Sequence, residues 1–441
     1  MKLAGRKVAV LGAGGSGIAA ATLALSHGAS VAAFDSGDPA KLAPAVERFA
    51  EIGVTLCCGD EALKSRESFD ITVISPGIAT SWPIARAFDQ VSTELIGEIE
   101  LAFRMSETPV IAITGTNGKT TTTCLVTEML NAAGKRAVAA GNIGLAYSEV
   151  VASGKQYDWI VLELSSFQLE TIKSFSPDIA VWMNFAPDHM DRYEVLEDYR
   201  NAKLRLFENT DRTQLAICKL EDQVALDLNR VSFSAFSEGG DFTFSGGEIT
   251  GGAGGERFDF SAAELQGKHN AENVMVALAV ADQLGISRAS IKGALGDFKA
   301  PAHRCEKIAE LGGVIYLNDS KSTNLHSLES ALAGQDSPIV LIVGGKNKGL
   351  DFGSLTNLVT EKVKAAICIG EIADEISGLW DDSISCECAA SVSDAVSLAA
   401  KAATSGDIVL FSPGTSSFDM FSGYEARGEA FRGAVQALPR T

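Results

Sequence analysis

The stretch ITGTNGKTTT at residues 113–122 sets a glycine-rich turn between an apolar run and a Lys-Thr pair. A turn of this kind, entered from a buried strand and left into a helix, aims backbone N–H groups and the positive helix end at phosphates. Gly115, Thr116, Asn117 and Gly118 would form the cradle. Lys119 would neutralise the β- and γ-phosphates of a nucleoside triphosphate, and the Thr120 hydroxyl would hold Mg2+. The usual loop, G-x-x-x-x-G-K-[ST], requires glycine at position 113; here that residue is Ile113 and the first glycine is Gly115, so the loop is a shorter variant. The pattern predicts an ATP site.

A second phosphate-type turn lies near the N-terminus. VAVLGAGGSGIAA at residues 8–20 carries Gly12-x-Gly14-x-x-Gly17, and Asp35 closes the next apolar run. This is the fingerprint of a dinucleotide-binding β-α-β unit. The turn recognises phosphates and not nicotinamide, so it suits a nucleotide-sugar as well as a dinucleotide. Gly14 and Ser16 would face the pyrophosphate, and Asp35 and Ser36 are placed for a base or ribose. Ser75-Pro76-Gly77 ends another strand, at the edge where open α/β sheets bind ligands.

These turns need strands and helices to hold them. In the first section the strand candidates are 7–11, 30–35 and 71–75, with an Ala-rich helix over 16–27. The second has strands at 110–114, 159–163 and 179–184, helices over 118–134 and 270–284, and a Gly-rich stretch at 237–256 with hairpin-like alternation. The third alternates again: strands at 314–317, 339–343, 365–369 and 408–411, helices over 323–333 and 392–402. The pattern predicts an α/β fold of three domains, 1–97, 98–300 and 301–441, with parallel sheets and extra hairpins in the middle one.

Of the 441 residues, 56 are acidic and 37 are Lys or Arg, a formal net charge of −19. Such an excess disfavours nucleic-acid and anionic-membrane partners. A site for an anionic substrate must therefore be assembled locally from helix N-termini, lysines or metal ions. No apolar run approaches the roughly 20 residues that span a bilayer, and the first residues lead into a strand without a secretory leader. A cytoplasmic monomer is expected. The eight cysteines form no CxxC pair and read as small buried hydrophobes in a reducing compartment.

Taken together, the motifs resemble the Mur ligases, a family that also includes the folylpolyglutamate synthases. GTNGKT matches the family's ATP loop, and further motifs follow in order: GNIG at 141–144, ELSSFQLE at 163–170, PDHMDRY at 187–193, GKHNAEN at 267–273, HR at 303–304 and NDSKSTN at 318–324. The C-terminal SPGTSSFDMFSGYEARGEAF, 412–431, is similar to the D-glutamate-adding branch. The resemblance covers essentially the whole chain. It implies an ATP-dependent ligase that joins D-glutamate to UDP-N-acetylmuramoyl-L-alanine in cytoplasmic peptidoglycan precursor synthesis. ATP would phosphorylate the substrate carboxylate, and the amine would attack the acyl phosphate. The UDP end would lie in the first domain, ATP in the second and D-glutamate in the third.

Such chemistry brings anions together. Two unit charges about 4 Å apart repel by ~1 kcal/mol in water and ~4 kcal/mol at an effective dielectric of 20. Divalent ions remove that barrier and orient the in-line transfer, so two Mg2+ ions are expected. Glu163, ending a buried strand, would hold one beside Thr120. The resemblance assigns His189 to a second ion. It also implies that Lys203, in an AKLR match, is carbamylated, which turns a cation into a metal-binding anion; read without it, Lys203 is a helix lysine that snorkels to solvent.

The remaining roles are implied in the same way. Asn142 would contact the nucleotide-sugar or the metal's surroundings, and Gln168 the sugar. Asn270 and Asn273 match the Asn-x-x-Asn pair around the adenine, although Asn270 also suits a helix N-cap. Arg304 and Asp319 would grip ATP from the third domain once the domains close. Lys321, Thr323 and Lys348 would meet the carboxylates of D-glutamate, with Ser417 and the backbone at Phe418 completing the pocket. Tyr424 stands where the family pattern has phenylalanine. The base for the incoming amine stays open among His189, the carbamate and the leaving phosphate. A nicotinamide-dependent dehydrogenase would leave the ATP loop and the metal ligands without a task. A sibling ligase for a diamino acid would need an acidic or Arg-containing pocket in place of SSFDMF.

Overall fold

The computed structural model describes the chain except residues 65–66, 191, 225–226, 253, 261–264, 266, 299–301, 336 and 440–441. The boundary expected between residues 300 and 301 lies outside the described residues. The described strands form three sheets in chain order.

The first sheet contains β1 (Lys7–Leu11), β2 (Ser30–Asp35), β3 (Leu56–Cys58), β4 (Phe69–Ile74) and β5 (Ser92–Gly97). All pairings are parallel, in the order β3-β2-β1-β4-β5. From β1 the chain first builds outward on one side, through β2 and β3, and then crosses to β4 on the other. The crevice beyond the C-terminal ends of β1 and β4 is thus a topological switch point, the usual ligand position in such sheets. The Gly12 and Ser75 turns lie there.

The middle sheet contains β6 (Val110–Thr114), β7 (Ala137–Gly141), β8 (Trp159–Glu163), β9 (Ile179–Trp182), β10 (Leu215–Lys219), β11 (Asn229–Ser234), β12 (Phe242–Ser245), β13 (Glu248–Gly251) and β14 (Glu256–Asp259). Their order is β14-β13-β12-β11-β10-β9-β6-β8-β7. β6 runs parallel between β8 and β9 and is buried along its whole length. That explains its unbroken apolar sequence, since helices cover both faces of such a strand. The Gly-rich stretch gives the expected hairpins: β12, β13 and β14 pair antiparallel.

The third sheet contains β15 (Glu306–Leu311), β16 (Val314–Asn318), β17 (Ile339–Gly344), β18 (Val363–Ile369), β19 (Ser385–Ala389) and β20 (Ile408–Phe411), ordered β15-β16-β20-β17-β18-β19. Sequence periodicity missed β15. It is an antiparallel edge strand returning through Gly312-Gly313 into β16, and its EKIAEL sequence stays half exposed.

The first and middle units share a core. Leu23 of the helix Gly15–Ser26, Ile99 and Leu101 of the helix Glu98–Met105, and Tyr147 and Val150 of the helix Tyr147–Ala152 belong to one buried cluster. Glu100, fully buried in that seam, accepts from the backbone N–H groups of Lys173, Ser174 and Phe175 and from Arg104, so its charge is satisfied. The third sheet has separate buried layers on its two faces. Polar contacts, described next, join it to the middle unit.

Candidate active site

β6 delivers the chain into the nucleotide loop, and the helix Lys119–Ala132 leaves it. Gly118 sits immediately before the helix in the left-handed region, at φ 82°. A Cβ there would lie 2.6 Å from Asn273 Oδ1, so both backbone angle and space require glycine. The loop is braced from β9's end. Thr116 N–H donates to the Asn184 carbonyl at 3.0 Å and Asn117 N–H to Asn184 Oδ1 at 2.8 Å. These two amides, expected in the phosphate cradle, are thus engaged within the protein. The first-turn amides of the helix, which have no intrahelical acceptor, remain as the anion-facing donors. Gly115 adopts φ 145° where the loop passes Met183 and Asn184. Lys119 Nζ folds back to donate to the Thr116 carbonyl at 2.8 Å. Burial holds its pKa below the ordinary lysine value, with Arg304 adding repulsion.

Glu163 ends β8 with its side chain 2% exposed. Oε1 accepts from Asn142 Nδ2 at 2.9 Å, whereas Oε2 is buried without a hydrogen-bond partner. Burial pushes the carboxyl's pKa up, but Lys119, the Asn142 hydrogen bond, Lys321 and Arg304 together hold it below the usual value. A buried, charged oxygen without a donor fits a cation ligand. Among the described residues no three or more His, Cys, Asp and Glu side chains gather as a metal cluster. A Mg2+ ion here would draw most of its shell from phosphates and water, which is its habit in phosphoryl-transfer sites. The Thr120 hydroxyl, expected to hold Mg2+, accepts from Arg304 at 2.7 Å and Lys321 at 3.2 Å, two cations of the third unit.

Lys203 is not a solvent-facing helix lysine. It is 2% exposed, donates to the Gly115 carbonyl at 2.7 Å and lies 4.7 Å from the Tyr199 ring centroid. Burial and the nearby Lys119 hold its pKa well below the ordinary lysine value. His189 stands beside it in an unusual backbone geometry for a non-glycine residue, φ 57°, with its ring against Phe167 and Tyr199. Partial burial lowers its pKa below the ordinary histidine value, against the pull of Asp188.

A cavity of about 450 Å3 opens between the middle and third units, a size suited to a nucleotide. Its lining includes Asn117, Gly118, Asn270, Asn273, Arg304 and Asp319. Asn270 is not the helix N-cap; Gly267 is, and Asn270 Oδ1 instead accepts from Asn273 Nδ2 at 3.0 Å. Asp319 accepts from Ser412 Oγ at 2.8 Å, and burial raises its pKa to about 6. Lys321 lies 5.0 Å from the Tyr424 ring centroid; burial, Arg304 and Lys119 lower its pKa to about 8. Lys348 is paired with Asp188 at 3.3 Å and donates to the Thr323 carbonyl. Ser417 is buried, while the Phe418 side chain is 67% exposed.

At the first sheet, Gly14 caps the helix that contains Ser16. Gly17 is needed for contact: a Cβ there would lie 2.0 Å from the Gly12 carbonyl oxygen. Asp35 braces the turn, its two oxygens accepting from Ala13 N–H and Gly37 N–H at 2.8 Å each. Ser36 is exposed, and Ser75 Oγ is buried without a partner next to Gly12. Gln168 turns its side-chain carbonyl oxygen back onto the chain. That oxygen accepts from Ser165 in a capping box that starts the helix Ser166–Leu169.

Residues 113–281 match the Mur ligase middle domain, and residues 303–414 match the Mur ligase, glutamate ligase domain. The chain is 39% identical to the UDP-N-acetylmuramoylalanine--D-glutamate ligase of Geobacter metallireducens, over 99% of both chains. It is 40% identical to the enzyme of the same name from Geotalea daltonii, again over 99% of both. The chain belongs to the Mur ligase family. The fold agrees: a UDP-N-acetylmuramate-alanine ligase, MurC, from Thermotoga maritima superimposes with a TM-score of 0.64 at 19% identity, covering 98% of this chain and 99% of that one. The MurF ligase of the same organism, in complex with ADP, gives 0.58 at 16% identity over 85% and 96% of the two chains.

Two buried residues of this Mur ligase escaped sequence reasoning. Asp188 is nine-tenths buried and joins the units, accepting from Asn324 Nδ2 at 2.9 Å and from Lys348. Arg427 is 1% exposed and donates to the Ser320 and Thr415 carbonyls, so it locks the Lys321 loop to the loop before Ser417. The PDHMDRY motif contained the first. The C-terminal motif at 412–431 contained the second, but its role did not show there, because an Arg in a helix reads as solvated.

Proposed function

We propose that this Mur ligase joins D-glutamate to UDP-N-acetylmuramoyl-L-alanine, with ATP converted to ADP and phosphate, through an acyl phosphate. The observation that carries the reading is the meeting of Arg304 and Lys321, from the third unit, with Thr120 at the start of the nucleotide-loop helix. Amide formation between two anionic substrates requires cationic charge concentrated where the carboxylate meets the γ-phosphate. A protein of net charge −19 supplies it at this seam. The names of its full-length relatives give the substrates.

The units over 1–97, 98–300 and 301–441 divide the work. The turn with Gly14, Ser16 and Ser75 holds the UDP end, the Ser75 hydroxyl being free to bond a ligand. Lys119 and the first-turn amides of its helix take the terminal phosphates, and Asn270 and Asn273 lie beside the base. Arg304 adds charge at the γ-phosphate. Lys321, Thr323, Lys348 and Ser417 face the carboxylates of D-glutamate. Glu163 would hold one Mg2+ through its free oxygen, and His189 with a carbamylated Lys203 a second. When bound, such ions screen the phosphates and the carboxylate from one another and align the transfer. The depressed pKa of Lys203 favours the neutral amine, the form that adds CO2. In its neutral form, which the lowered pKa favours, His189 is competent either to bind a metal or to accept the amine's proton. We place the reaction in the cytoplasm, performed by a monomer on small-molecule substrates; among the described residues no helix is long and apolar enough to cross a membrane.

The test is phosphate release from ATP in the presence of UDP-N-acetylmuramoyl-L-alanine and, in turn, D-Glu, L-Glu, L-Ala, L-Lys and meso-diaminopimelate. Release with D-Glu alone is expected. No release above background with D-Glu overturns the reading.

A further inference from the structure

The helix Leu325–Ala333 of the third unit begins against two loops of the middle unit. Its N-cap, Asn324, accepts from Ser327 N–H with Oδ1 at 2.9 Å and donates through Nδ2 to Asp188 at 2.9 Å. One turn on, His326 and Ser327 take both ends of a single amide. Asn117 Nδ2 lies 2.6 Å from His326 Nδ1, and Ser327 Oγ lies 2.7 Å from Asn117 Oδ1. A hydroxyl and a neutral imidazole nitrogen can each donate or accept, so the amide is satisfied in either orientation. The backbone of Asn117 is held just as completely by Asn184, whose Oδ1 accepts from its N–H and whose Nδ2 donates to its carbonyl. Left-handed Gly118, hemmed in by Asn273, follows directly. The loop therefore has little freedom at Asn117 while the third unit is docked.

Resting on the ligase reading above, we propose that His326 and Ser327 are positioning residues that act through Asn117: they form a latch by which the third unit fixes the nucleotide loop when the units close. The latch ties amino-acid delivery to phosphate alignment, because the same unit carries Lys321 and the same loop carries Lys119. A loop displaced by about 1 Å costs on the order of a hundredfold in rate. Loss of one ordinary hydrogen bond of the latch accounts for about fivefold.

The test is a double-mutant cycle of Asn117→Ala with Ser327→Ala, and in parallel with His326→Ala. It is read on kcat/KM for ATP with the other substrates saturating and on the Kd of MgATP by calorimetry. Ser327→Ala is expected to lower kcat/KM by about fivefold, Ser327→Thr to restore it, and Ser327→Ala to add nothing once Asn117 is alanine. The Kd of the UDP-sugar substrate, held by the first unit, should not change in any of these variants; that readout, with thermal melting, separates a lost latch from lost folding. Equal effects of Ser327→Ala in both backgrounds, or no effect in either, overturn the proposal. The MgATP arm needs no turnover, so it judges the latch even if D-Glu supports no phosphate release and the ligase reading fails.

Discussion

Asn142 donates to Glu163 twice, from its side chain to Oε1 at 2.9 Å and from its backbone to the Glu163 carbonyl at 2.8 Å, and so fixes the carboxylate with Oε2 bare and buried. A carboxylate held this way is ready for a cation. Glu163→Gln keeps an acceptor for Asn142 but removes the charge. It should reduce phosphate release by roughly 10²–10³-fold. Asn142→Ala should instead raise the Mg2+ concentration for half-maximal activity by about tenfold, as for outer partners of metal ligands. A Mg2+ titration of both variants checks the distinction.

Lys203 offers a test of its modification. Lys203→Ala should lose most activity and recover part of it with short carboxylic acids that supply the missing anion. Intact-mass measurement under bicarbonate should find one added CO2 on the parent chain and none on the variant. Full activity in Lys203→Ala, or no rescue, removes the carbamate from the account.

Lys321 predicts a pH dependence. With its pKa lowered to about 8, the ammonium is present below that value and is lost as pH rises through it. The KM for D-glutamate should therefore rise above about pH 8. Lys321→Arg, whose guanidinium stays charged, should abolish that alkaline limb even if it lowers overall activity through altered geometry. Steady-state KM measured from about pH 7 to about pH 9.5, a range that brackets a lysine so shifted, gives the answer.

Asp319 predicts a stability effect of opposite ionic origin. Burial raises its folded pKa to about 6 from 3.8. The folded state thus binds the extra proton between those values, and this group's contribution to stability is present below about pH 4 and lost as pH rises through about 6. Asp319→Asn, which cannot ionise, removes that slope. The difference in Tm between parent and variant should shift in the variant's favour from pH 4 to pH 7, measured by thermal unfolding with no nucleotide present.

Gly17→Ala tests the first unit alone. The new methyl would meet the Gly12 carbonyl oxygen at 2.0 Å, and backbone must move to admit it. Overpacking of this kind costs about 1–3 kcal/mol. A lowered Tm and lost UDP-sugar affinity, with MgATP affinity retained, are the expected results by melting and calorimetry.

The sequence by itself determined the three α/β units and the candidate residues of the site. Buried parallel strands such as β6 and β17 write themselves as unbroken apolar runs, and phosphate turns need glycines at fixed offsets, so both are local signals. Only the tertiary structure decided how the inventory is used. It turned Lys203 inward against Gly115, set Asn142 on Glu163 and spent the amides of Thr116 and Asn117 on Asn184. It enlisted Asp188 and Arg427 as ties between loops. It also brought Arg304 and Lys321 to Thr120, across 184 and 201 residues of chain. Those pairings follow from burial, which leads most polar groups to find a partner wherever the fold places one. Local spacing carries the identity of such groups, but their partners are fixed only when the sheets pack.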